Sequence, residues 1–192
     1  MAVLIIYVHP ETKGFNSRIL ATLTGELDRR QVSWRLIDLY RDSYHPVLRS
    51  EEHFTAGNRQ VAEQTREYQE LVKQHDKLVL IYPVWWNGPP AILKGFFDRV
   101  FTPGFAYRFN GRIPGKLLKG KKAAVLLTHG SPGWYTTFIL RNRGAKVVVR
   151  DILGFCGIAS KFFKLNNARH YGPARDREIS RLVDKAMGYL LK

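Results

Sequence analysis

The chain opens on an unbroken apolar run over 3–8, and the apolar positions behind it change period. A run without polar alternation marks a strand buried on both faces. Ile19, Leu20, Leu23 and Leu27 then recur at helical spacing, so 16 to about 30 reads as an amphipathic helix. Weak alternation over 34–39 predicts a second strand, and a polar, histidine-containing stretch follows over 41–58. Val61, Tyr68, Leu71 and Val72 form the apolar stripe of a helix over about 60–74. Residues 77–82 are a third strand, ended by Pro83. Further on, 91–101 reads as a helix, 104–122 as a long glycine-rich irregular segment and 123–128 as the fourth strand. The stretch 136–156 is mixed and ends in a helix, 158–165 is the fifth strand, and 175–191 is a closing helix.

Strands that alternate with helices imply one parallel sheet covered on both faces. Five strands favour the doubly wound order 2-1-3-4-5, in an α/β fold of one domain spanning 1–192. Ligands of such sheets bind beyond the carboxyl ends of the strands, where the order reverses. That rule selects the loops 9–16, 83–90 and 128–135 before any chemistry is considered.

Composition narrows the function classes. With 192 residues the chain can bury one substantial core. Cys156 is its single cysteine, which excludes an intramolecular disulfide and points to a reducing compartment, the cytoplasm. The opening apolar run is too short for a membrane span and lacks the basic flank of a secretory signal. No Cys/His cluster has metal-ligand spacing, so no metal is expected. The net charge of +15 is uneven: residues 1–96 hold 12 basic and 11 acidic side chains, residues 97–192 hold 19 and 5. A basic half attracts anionic cofactors and acidic surfaces, but no nucleic-acid module accompanies it, so no specific nucleic-acid partner is expected.

The three loops carry candidate chemistry. His9, Lys13, Phe15, Asn16 and Ser17 lead into the first helix, whose start can hold a phosphate and for which Asn16 and Ser17 are good caps. No Gly-x-Gly-x-x-Gly or Gly-Lys-Ser/Thr motif is present. Pro83-Val84-Trp85-Trp86-Asn87-Gly88 places two adjacent indoles at the end of a central strand; consecutive side chains diverge, so one faces a cleft and can stack on a flat ring. Thr128-His129-Gly130-Ser131-Pro132-Gly133-Trp134-Tyr135 offers hydroxyls, glycines for close backbone approach, and in His129 a proton carrier near neutral pH.

The run from Pro83 through Ala91-Ile92-Leu93-Lys94-Gly95-Phe96-Phe97-Asp98-Arg99-Val100-Phe101 to Gly104-Phe105-Ala106-Tyr107 resembles the flavodoxin-like NAD(P)H quinone reductases. That family includes bacterial relatives and ancillary subunits of potassium efflux systems. His9-Pro10, Phe15-Asn16, the 128–135 loop and Phe155-Cys156-Gly157 support the resemblance. It implies a bound FMN, with FAD as the alternative, NAD(P)H as electron donor, a quinone or similar small acceptor reduced by ping-pong hydride transfer, and a homodimer. By the same resemblance His9, Phe15, Asn16 and Ser17 hold the phosphate side. Pro83, Val84, Trp85, Trp86 and Asn87 lie along the ring. Thr128 and Gly130 meet its other edge, with Tyr135 near the reducible end. Tyr107, Phe109 and Phe155 line the acceptor pocket. The sequence departs at Gly14, where relatives often place serine, at His129, commonly glycine, and at Arg141, where the animal enzymes place the histidine partner of the tyrosine. The alternative function is that of a flavin-binding regulatory subunit docked on a membrane protein.

Overall fold

A computed structural model describes residues 2–53, 55–56, 60–110 and 113–192. The expected polar stretch over 41–58 therefore lies partly outside the described residues. Five strands form the parallel sheet: β1 (Ala2–Tyr7), β2 (Ser33–Asp38), β3 (Lys77–Pro83), β6 (Lys122–Thr128) and β7 (Ala159–Leu165), in the order β2-β1-β3-β6-β7. This is the expected 2-1-3-4-5 order. A separate antiparallel hairpin, β4 (Tyr107–Asn110) with β5 (Ile113–Lys116), occupies part of the segment expected to be irregular.

Burial explains the patterns. β1, β3 and β6 are central and enclosed on both faces, whereas β2 and β7 sit at the edges and alternate. On one face Val3, Ile5, Val79, Ile81, Ala124 and Leu126 pack with Ile19, Leu23 and Leu27 of α1 (Phe15–Arg29) and with Ile179, Val183 and Met187 of α6 (Asp176–Leu190). On the other, Leu4, Ile6, Leu78, Leu80, Val125 and Leu127 pack with α2 (Glu63–Gln74) and α3 (Ala91–Val100). Each of these valine, leucine, isoleucine and methionine side chains contributes about 1.5–3 kcal/mol when fully buried.

The stretch expected to be mixed over 136–156 is mostly π-helical. Its pieces are a π turn at Tyr135–Ile139, α4 (Arg143–Lys146), a second π stretch at Val147–Leu153 and α5 (Gly154–Cys156). Cys156 is buried, and burial pushes its thiol up to about 12, so it is inert.

Candidate functional site

The carboxyl ends of β1, β3 and β6 open on one cavity of about 390 Å³. Its first wall is the β1–α1 loop, with His9, Lys13, Gly14, Phe15 and Asn16. Gly14 has φ 112°, a conformation that favours glycine, and from it the chain turns directly into α1. The first residues of a helix have no i−4 carbonyl to bond, so their N–H groups are free to meet an anion at this wall.

Asn16 and Ser17 do not cap α1, contrary to the sequence expectation. Both lie inside its first turn. Asn16 Nδ2 donates to Thr128 Oγ1 at 3.1 Å, with both side chains buried, and so ties the first wall to the end of β6. Ser17 Oγ donates to the Gly14 carbonyl at 2.9 Å and lies outside this cavity.

The second wall is the turn after β3. Val84 N donates to Thr128 O at 2.9 Å, extending the ladder one residue past the strand. Trp85 and Gly88 then exchange backbone hydrogen bonds of 3.1 and 2.9 Å around Trp86 and Asn87, with φ 50° and 57°. Two consecutive left-handed residues define a type I′ turn, and a non-glycine residue there costs about 1–3 kcal/mol. The divergence expected of the two indoles is observed. Trp85 lines the cavity, its ring 6.5 Å from that of His9, while Trp86 is wholly in solvent. Asn87 Oδ1 is buried without a hydrogen-bond partner. Behind the turn, a Cβ on Gly144 would lie 2.7 Å from Val84 Cγ1 and 3.3 Å from the Asn87 carbonyl carbon. The turn is therefore wedged from below.

The third wall holds Thr128 and Gly130. His129 N donates to Leu165 O at 2.8 Å and Ala168 N to His129 O at 2.9 Å, which stitches this loop to the segment after β7.

A model of the flavodoxin-like fold family matches residues 1–189. The chain belongs to that family. A Haemophilus influenzae protein named "uncharacterized NAD(P)H oxidoreductase" is 34% identical over 165 residues, 84% of this chain and 81% of its own length. The solved NAD(P)H:quinone oxidoreductase from Methanothermobacter marburgensis is 29% identical, with TM-score 0.85 over 100% of this chain and 99% of that one. An FMN-dependent NADH-azoreductase from Bacillus anthracis, solved with FMN, is 17% identical with TM-score 0.81 and full coverage of both chains; at that identity the likeness concerns the fold.

Within this flavodoxin-like chain the remaining site residues fall into two groups. His129 and Tyr135 lie beyond the cavity lining, on the same loop. Ser131 N donates to His129 Nδ1 at 3.4 Å. Burial, and then the Lys164 ammonium, hold the imidazole below its ordinary value. Tyr135 opens the π turn, a geometry frequent at functional sites. Lys164 Nζ holds this turn by donating to Thr136 Oγ1 at 2.8 Å, Thr137 Oγ1 at 2.7 Å and Asn142 Oδ1 at 2.7 Å. Burial lowers the Lys164 pKa, since neutral oxygens compensate a desolvated ammonium poorly. Arg141, in the left-handed region with φ 52°, is exposed.

Tyr107, Phe109 and Phe155 pack together, with Tyr107 also against the main core. The Tyr107 ring lies 5.5 Å from Phe109 and 5.0 Å from Phe155, both edge-on, and Phe109 is 61% exposed. None of the three lines the 390 Å³ cavity.

Sequence reasoning missed Ala168, Arg169 and Tyr171, which complete the cavity from the loop after β7. Arg169 Nε donates to Gly130 O at 2.9 Å. The carboxyl-end rule applies to that strand as well. Among the described residues no group of His, Cys, Asp and Glu could hold a metal, and no helix is long and apolar enough to cross a membrane.

Proposed function

We propose that this chain is an NAD(P)H oxidoreductase that holds FMN in the 390 Å³ cavity and reduces a quinone or a similar small acceptor. The observation that carries the reading is the type I′ turn at Trp85–Gly88, whose Trp85 lines a cavity that also opens on the start of α1; Asn87 Oδ1 of the same turn is buried without a partner, outside that lining. Strain and an orphan acceptor are costs without return in the free chain. A flat heterocycle lying along the strained turn at Trp85, with its phosphate at the helix start, fits the cavity. FMN has those two parts, and the names of the Methanothermobacter and Bacillus proteins support the choice of FMN and NAD(P)H.

The flavin supplies hydride acceptance and release. The protein's part is to bind, orient and bias. The α1 start and Lys13 take the phosphate, Trp85 and the 83–87 backbone flank the ring, and Asn16 with Thr128 fixes the distance between two walls. Tyr135, held on its Lys164-fastened turn, offers a hydroxyl for negative charge at the ring edge, and donor and acceptor use one face in turn, a ping-pong order. In a dimer, the Tyr107–Phe109–Phe155 cluster of one protomer covers the acceptor side of its partner's cavity. Titration of the flavin-free protein with FMN, followed by flavin fluorescence, tests the site: saturable quenching that Asn16→Ala and Trp85→Ala weaken is expected, and no quenching refutes it.

One observation favours a second reading, docking on an acidic surface. Trp134, Phe138 and Ile139 are exposed, as are Arg141, Arg143, Lys146 and Arg150 of the stretch that follows in the chain. Salt-sensitive retention by a membrane partner together with absent NAD(P)H oxidation by the FMN-loaded protein would favour a regulatory subunit.

A further inference from the structure

A second groove, of about 360 Å³, lies on the other side of the β1–α1 loop, between α1 and the carboxyl end of β2, and shares only His9 with the flavin cavity. Its floor is apolar, from Leu20 and Leu36, with half-buried Tyr40 at the side. Tyr7 also lines it. That residue is 4% exposed, and its hydroxyl is buried without a hydrogen-bond partner. An unpaired buried hydroxyl is disfavoured in a folded protein unless something else meets it. Asp38, opposite Tyr7 in the strand register, closes β2. One of its carboxylate oxygens accepts from Arg41 N at 3.2 Å, and the other has no partner among the described residues. Arg41 itself lines the mouth.

We propose that this groove binds the adenosine phosphate end of a dinucleotide. An apolar slot beside a tyrosine ring suits a purine. The Tyr7 hydroxyl pairs with a polar atom of the base. The Asp38 carboxylate can accept from ribose hydroxyls, and the Arg41 guanidinium beside it can pair with a ribose phosphate. Glu11 and Asp38 make the rest of the groove acidic, so the phosphate sits at Arg41 and not inside. Ser17, expected on the flavin side, lines this groove instead. The nucleotide-using reading above suggests which ligand occupies the groove. The groove itself is independent of that reading.

The test is calorimetric titration of the purified protein, with and without FMN, using adenosine 2′,5′-bisphosphate and adenosine 5′-monophosphate. Saturable binding of at least one probe in both states is expected, weakened at least tenfold by Asp38→Asn. Tyr7→Phe keeps the packing, so it should weaken the probe while leaving the unliganded melting temperature equal or higher, a split that a structural hydroxyl would not produce. A larger loss for the bisphosphate in Arg41→Ala assigns the site to NADPH, and an equal loss for both probes assigns it to a dinucleotide with only a 5′-phosphate chain. No saturable binding, or binding that Asp38→Asn leaves unchanged, overturns the proposal. FMN retention is measured on the same samples. Retention without probe binding removes the groove proposal alone, and probe binding without retention removes the flavin reading alone.

Discussion

Gly144→Ala probes how tightly the strained turn is held from outside the cavity. The new Cβ would stand 2.7 and 3.2 Å from the two Val84 methyls and 3.3 Å from the Asn87 carbonyl carbon. Val84 is β-branched and stiff at χ1, and its backbone N–H is fixed to Thr128 O, so it cannot swing aside cheaply. Gly144 cannot retreat freely either, because its carbonyl accepts from the buried Tyr82 hydroxyl at 2.9 Å. Forced overpacking of this kind costs about 1–3 kcal/mol. For a chain of this size, that lowers the melting temperature by roughly 2–12 °C. To the extent that the turn moves instead, the same energy appears as a weaker FMN affinity, by about 5- to 150-fold. A double-mutant cycle with Val84→Ala separates this from a general defect. Removing both methyls should recover most of the loss, giving a favourable coupling of about 1 kcal/mol or more between two residues in contact. An unchanged melting temperature and FMN affinity in Gly144→Ala, or a cycle with no coupling, would refute the wedge.

Other consequences follow from the same geometry. Tyr135→Phe should slow reduction of bound FMN by about two to three orders of magnitude while leaving FMN affinity near its original value, as stopped-flow absorbance would show; an unchanged rate removes Tyr135 from the mechanism. Lys164→Met removes the donor to three side-chain oxygens and should raise hydrogen exchange over 135–142 without a comparable rise in β1 or β3. The His129 imidazole is held below its unfolded value of about 6.5, so the unfolded chain binds more protons just below that pH. Stability should then fall as pH drops through that window, and His129→Gln should flatten this part of the profile in denaturant titrations. Arg99→Met leaves the buried Glu52 carboxylate without its 2.8 Å partner and should cost about 3–5 kcal/mol of stability; an unchanged urea midpoint would show that the pair is dispensable.

The central strands were legible because burial on both faces leaves a short uninterrupted apolar run, as in 78–82, whose length and β-branched and aromatic residues mark it as a strand. The three loops were legible because sheet topology alone decides which ends converge. The β4–β5 hairpin was not. Each strand is four residues long, and Pro114 and Gly115 sit within the second, so composition argued for irregular chain. Nor were the π stretches, since a helical period read at 3.6 residues blurs when single turns widen. Asn16 shows a limit of another kind. Residue type marked it as important at the helix start, but its partner Thr128 lies 112 residues away and no local rule chooses between capping and tethering.

The most direct test of the account is one anaerobic absorbance experiment on the protein loaded with FMN and desalted. The account predicts that flavin stays with the protein, that NADPH or NADH bleaches its visible absorbance, and that a small quinone added afterwards restores it. Loss of flavin on desalting, or retained flavin that neither nucleotide bleaches, would contradict it.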